Sequence, residues 1–157
     1  MAIDKGFRFE IAFDQAFPQG LVMTGEVRAD TEYQSREAMA KGQVARQNVD
    51  EQTGKRQWKV AVTDLGESRA KRASFELILL ADVQPVPTTA EVLPGMRPIE
   101  LEGLTAEPRV GGQGEFKYQT YVYRATGFAA AGSGTAGKSS RSNSGSSAGS
   151  ADGSKAA

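Results

Sequence analysis

Four aromatic rings and two cations fall within the eleven residues Gly114–Arg124, GEFKYQTYVYR. That combination suits a single-stranded nucleic acid, because rings stack on unpaired bases while cations neutralise phosphate. A β-strand sends alternate side chains to opposite faces. Lys117, Gln119, Tyr121 and Tyr123 then share a face that can be wet, and Phe116, Tyr118, Thr120 and Val122 share the other, which reads as core. Tyrosine also fits any half-buried pleat with its hydroxyl in water, so plain sheet packing is the competing account.

Further cations are grouped by position. Arg36, Lys41 and Arg46 lie in a long polar stretch, Lys55, Arg56 and Lys59 flank Trp58, and Arg69, Lys71 and Arg72 precede an apolar run. Each group alone fits a solvated face, since Glu37, Asp50, Glu51 and Glu67 are interspersed. Together with the Tyr121 strand they can line one groove. The residues expected to contact nucleic acid are Arg36, Arg46, Lys55, Arg56, Lys59, Lys117, Tyr121, Tyr123 and Arg124. Trp58 alternates with Val60 and Val62, so core packing is the first reading of that ring and base stacking the second.

Other chemistry is poorly served. The chain has no cysteine and no histidine, which removes thiol nucleophiles, disulfides, Cys/His zinc sites and histidine acid–base catalysis. Asp50, Glu51, Asp64, Glu67, Glu76, Glu100 and Glu102 are dispersed, with no pairing that specifies hydrolysis. Gly132–Ser139, GSGTAGKS, satisfies the phosphate-loop pattern, but SRSNSGSSAGS after it cannot form the helix whose N-terminus would hold the phosphates. The glycine-rich VGGQGEF leads into a strand and reads as a hairpin turn, not a dinucleotide loop. No enzyme activity, cofactor or metal is expected.

These side chains need a scaffold, and the periodicity supplies strands. Gly20–Arg28, Gln57–Thr63, Ser74–Ala81 and Arg97–Glu102 alternate as strands do, with SFELILLA apolar on both faces like a central one. With Gly114–Arg124 they make five, which points to a small all-β barrel. Residues 29–55 form a long polar loop holding a short helix that breaks at Gly42 and then a turn at Thr53–Gly54. Asp82–Gly95, with three prolines, reads as an extended connector.

Residues 1–128 are expected to form the domain, and 129–157, almost entirely Gly, Ser and Ala, a disordered tail. The domain holds 16 Lys and Arg against 18 Asp and Glu, so any nucleic-acid binding rests on a local patch and is salt-sensitive. MAIDKGFRFEIAF is broken by charges and does not read as a signal peptide, and no apolar run nears the ~20 residues that cross a bilayer. A cytoplasmic protein without a membrane partner is expected.

The run from Ser74 through LPGMRPIELEGL to VGGQGEFKYQTYVYR resembles the C-terminal half of filamentous-phage helix-destabilising proteins, which bind single-stranded DNA. The turn NVDEQTGKR is similar in placement to their DNA-binding hairpin. The chain also looks like small accessory proteins of integrative and conjugative plasmids of actinobacteria. The stronger part of the resemblance covers about 50 residues and carries no catalytic signature. It implies an OB-like barrel, a homodimer and cooperative binding along a strand, with Arg56 matching a hairpin cation and Arg124 a cation of the last strand. The expected function is sequence-independent single-stranded DNA binding in the replication or transfer of a mobile genetic element. The alternative is a regulatory protein that activates replication or excision through replication or recombination proteins, without touching DNA.

Overall fold

The computed structural model describes residues 3–130. In chain order these are strand β1 (Phe9–Glu10), helical turn α1 (Phe13–Ala16), β2 (Leu21–Ala29), short helix α2 (Arg36–Ala40) and β3 (Gln57–Asp64). Helical turn α3 (Ala70–Ala73) follows, then β4 (Ser74–Leu80), β5 (Met96–Ile99), β6 (Leu101–Glu102), β7 (Thr105–Gln113), β8 (Phe116–Ala125) and β9 (Gly127–Phe128). The protein is therefore mostly β.

Seven strands form one mixed sheet in the order β1-β7-β8-β4-β3-β2-β5, and β6 pairs with β9 in a separate two-stranded ladder. Every pairing is antiparallel except β4 with β8, which is parallel and limited to Ile78–Arg124 and Leu79–Ala125. Period-2 alternation decides which side chains go inward. Met23, Val62 and Phe75 stand in one cross-strand row, and Trp58 lies opposite Leu79. Leu77 and Leu79 are wholly buried, and Phe17, leaving α1, closes the core over them. Truncating either leucine to alanine costs ~2–5 kcal/mol, because a close-packed centre cannot fully collapse into the gap. The register of β2 on β3 slips between Thr24 and Arg28, where Gly25 takes a φ of 78° that few other residues adopt.

The strand count differs from the sequence expectation. The sequence pattern predicts five strands in a small OB-like barrel; the described residues hold nine strands, seven of them in one mixed sheet that does not close into a barrel. β7 escapes the pattern because Pro108, Gly111 and Gly112 look like a turn, yet Pro108 sits on a stretch of β7 that only β8 pairs, where a missing N–H costs nothing. The core assignment for β8 also changes. Phe116 is 85% exposed, Tyr118 47% exposed and Val122 half-buried, whereas Tyr123 packs against the core. The cause is topological: β8 meets β4 only at its last two residues, so the earlier part of the strand pairs with β7 alone.

The long polar loop is built into the sheet end. Asn48 donates from its backbone N–H to the Asp30 carbonyl at 2.8 Å, and Gln57 donates to the Asn48 carbonyl at 2.9 Å, so residues 47–50 run between the ends of β2 and β3. α2 is capped by Ser35, whose hydroxyl accepts from the Ala38 N–H, and the chain turns at Gly42. Asp82–Gly95 contains no helix or strand. It is tied to β2 by the Gln84 side-chain amide donating to the Val27 carbonyl at 2.9 Å. Ala129 is still held, its N–H donating to the Glu100 carbonyl, while residues 131–157, with the tail and GSGTAGKS, lie outside the described residues. Among the described residues no helix is long and apolar enough to cross a membrane.

Candidate nucleic-acid interface

β7 and β8 make a long two-stranded arm. β1 covers β7 only at Thr105 and Ala106, and β4 covers β8 only at Arg124 and Ala125. Everything from Glu107 round the turn to Tyr123 pairs solely within the arm. Gly112 makes the turn possible: its φ is 88°, and a Cβ there would run into the Phe116 carbonyl.

One face of the arm carries Lys117, Gln119, Tyr121 and Tyr123, with Gly112, Val110, Pro108 and Ala106 opposite them on β7. Phe9 is the β1 partner of Ala106, so it joins the same row. Along this face the character shifts from core to solvent. Tyr123 lies 4.9 Å from Phe17 and 5.5 Å from Phe75 between ring centroids, and burial pushes its phenol pKa up, with Tyr121 and Asp64 adding to the rise. Tyr121, 6.2 Å from Tyr123, is 44% exposed and accepts a hydrogen bond from the Gln119 side-chain amide at 3.2 Å. Farther out, a groove of about 1060 Å³ opens between the N-terminal segment Ile3–Phe9 and the arm, lined by Lys5, Phe7, Phe9, Val110, Lys117 and Gln119 among others.

The opposite face is ionic at its root and aromatic at its tip. Arg124 and Glu107 are both buried, 2.6 Å apart, and Arg109 reaches the same carboxylate at 3.2 Å. Burial works against the Glu107 charge, but the hydrogen bonds from Arg124 and Arg109 outweigh it and hold its pKa below the ordinary carboxylate value. Nearby, Arg8 grips Asp50 with two nitrogens at 2.9 and 2.5 Å, and Thr53 donates its hydroxyl and N–H to the same carboxylate. The Arg8 hydrogen bond is the main reason that the Asp50 pKa falls from 3.8 to about 2. Conversely, Asp50 raises the Arg8 pKa. This clasp fastens the N-terminal segment to the Thr53–Gly54 turn. At the tip, the Arg72 guanidinium lies 4.9 Å from the Tyr118 ring centroid.

The nine residues expected from the sequence are therefore spread over distinct places. Lys117 lines the groove and Tyr121 stands beside it on the same face. Tyr123 belongs to the aromatic cluster on the core, and Arg124 is locked to Glu107 with its charge away from the surface. Arg36, Arg46 and Arg56 are exposed on the loop between β2 and β3. Lys55 pairs with Asp82 at 2.6 Å and Lys59 approaches Asp30 at 3.9 Å, so both cations are partly neutralised. Sequence reasoning missed Phe7 and Phe9, although FRFEIAF alternates as a strand does. It also missed Tyr33, 94% exposed just ahead of α2, and the Arg72–Tyr118 pair, which no local spacing announces. Comparison with models of known protein families, with curated proteins and with solved structures gives no match for this chain.

Proposed function

We propose that this protein binds single-stranded DNA without sequence preference, through an OB-like scaffold and without enzymatic activity, in the replication or transfer of a mobile genetic element. The observation that carries this reading is the wet face of the arm, where exposed Tyr121 and Lys117 stand together with more aromatic surface beside them. Bases stack on such rings whatever their identity, because every base has a π-face, and the lysine follows the phosphates. Phe7 and Phe9 replace Tyr123 and Arg124 in the proposed contact set, since the latter two are committed to the core and to Glu107.

The OB-like reading is supported by pairing order. β6 continues β5 after Glu100, and β9 continues β8 after Thr126. The β6–β9 ladder therefore links the β5 edge of the sheet to β8, and β4 runs parallel to β8. In OB-folds the loop after the first strand and the connection before the last strand contact oligonucleotides. The corresponding segments here are the loop 30–56, with exposed Tyr33, Arg36, Arg46 and Arg56, and the arm itself.

Fluorescence anisotropy of a labelled oligo-dT strand at low and high salt tests the proposal. Saturable binding that weakens with salt is expected, with a shallow slope because the charge is local and few phosphates are contacted. No anisotropy change at tens of micromolar protein, as an order of magnitude, refutes it. The second reading, regulation through a protein partner, is favoured by the proline-containing connector, where Val83, Val86, Val92 and Leu93 are all exposed. It predicts no oligo-dT binding at any salt.

A further inference from the structure

We propose that the groove between the N-terminal segment and the β7–β8 arm is a pocket for one unpaired base, with Phe7 and Phe9 as its stacking walls and Lys5 and Lys117 holding the flanking phosphates. The inference rests on the single-stranded DNA reading and adds a pocket to that site. Phe7 and Phe9 are 49% and 40% exposed, and their rings meet at 5.0 Å with an interplanar angle of 75°. Two rings set edge to face make a corner, in which a flat heterocycle stacks on one ring and presents its edge to the other. Exposing two neighbouring phenylalanines costs solvation free energy, and a planar ligand recovers it.

Charge favours a nucleotide over an apolar peptide segment. Lys5 and Lys117 both line the groove. Of the acids there, Glu107 is already engaged by Arg124 and Arg109, which leaves Asp4 alone against the two lysines. Gln119 adds hydrogen-bonding capacity on the lining: its amide nitrogen donates to the Tyr121 hydroxyl, and its carbonyl oxygen remains an acceptor for a base edge. The volume, about 1060 Å³, accommodates a nucleotide, and Gln119 of the lining is hydrogen-bonded to Tyr121.

The test compares an oligo-dT strand with a strand of equal length made of abasic sites. Wild-type protein is expected to bind oligo-dT on the order of 25-fold or more tightly than the abasic strand, about fivefold for the base in the pocket and about fivefold for the base on Tyr121. The double variant Phe7→Leu/Phe9→Leu keeps apolar bulk but removes the rings. Its preference is expected to fall about fivefold or more, to the share that Tyr121 carries, while its affinity for the abasic strand stays at the wild-type value. A variant that keeps the wild-type preference overturns the proposal yet leaves DNA binding standing, and so does one that loses both strands equally. A wild type that binds neither strand overturns the DNA reading and the pocket with it. F7W provides a second readout that does not depend on the leucine variants folding well. Its added emission should be quenched by bound oligo-dT and not by the abasic strand, and an unquenched signal with oligo-dT bound overturns the pocket.

Discussion

Replacing Asp50 by asparagine tests the clasp that holds the N-terminal segment to the Thr53–Gly54 turn. The amide side chain is nearly the same size and can still accept from Thr53, so the main loss is the charge facing Arg8. The folded carboxyl titrates at about 2 and the unfolded one near 3.8. At about 1.36 kcal/mol per pKa unit this difference corresponds to about 2.5 kcal/mol of stability. The sign follows from the direction: a depressed carboxylate pKa stabilises fully above 3.8, and the contribution fades as pH falls through about 2. Urea unfolding of wild type and Asp50→Asn at pH 7, 5, 3.5 and 2.5, values chosen to bracket that window, should therefore show a gap that is constant between the first two. The gap should then shrink at the last two. In thermal unfolding at pH 7 the same gap appears as a loss of ~10 °C for a domain of this size. A gap below about 0.5 kcal/mol at pH 7 would mean that the ion pair only balances its desolvation. A larger gap that stays constant down to pH 2.5 would assign the loss to packing or hydrogen bonds, and the electrostatic argument would fail.

Four other single substitutions separate roles along the arm. Tyr121→Ala should weaken oligo-dT binding by ~1–3 kcal/mol with an unchanged melting temperature, whereas Tyr123→Ala should cost ~3 kcal/mol of stability through the cavity left beside Phe17 and Phe75. Equal melting losses in the two variants would contradict the shift from core to solvent along that face. Arg124→Ala, which strands a buried Glu107 beside Arg109 alone, should destabilise by ~3 kcal/mol or more, and the paired change Arg124→Met/Glu107→Leu should recover much of it in urea titrations. Gly112→Ala should lower stability by more than about 1 kcal/mol, since a Cβ there meets the Phe116 carbonyl at a φ of 88°; wild-type melting in that variant would show that the turn rearranges freely.

The interior of the sheet was legible because period-2 alternation is a direct consequence of the pleat. Val60 and Val62 on β3, and Leu77 and Leu79 on β4, are buried on the face that alternation assigns. Trp58 packs on the same core, its indole N–H donating to the Ala81 carbonyl at 2.9 Å, which is the packing reading of that ring. The turn at Gly54 and the end of α2 near Gly42 were readable from glycine alone, since both adopt positive φ. What alternation could not convey is where a strand leaves the sheet. Phe116 and Tyr118 have the composition of core residues, and only the short overlap of β8 with β4 leaves them uncovered. The fate of charges was equally hidden. Arg124 meets Glu107 across a hairpin pairing, and Arg8 meets Asp50 across 42 residues of chain, contacts that no local spacing encodes. The groove needs Phe7, Phe9 and Lys117 together, more than a hundred residues apart in sequence, so it exists only after β1 docks on β7.

The arm's attachment has a consequence for how this protein opens. Its outer part shares ladder hydrogen bonds with nothing but itself, while its root is bolted by β1, β4 and the buried Glu107–Arg124 pair. Amide hydrogens should therefore exchange in two populations, fast beyond Tyr121 and slow at Ala125, because fraying of the outer part does not require the sheet to unfold. The boundary between those populations falls beside Tyr121. A ligand engaging the outer face would slow exchange there without raising the protection of β3 and β4, so occupancy could be read amide by amide against an unchanging internal standard.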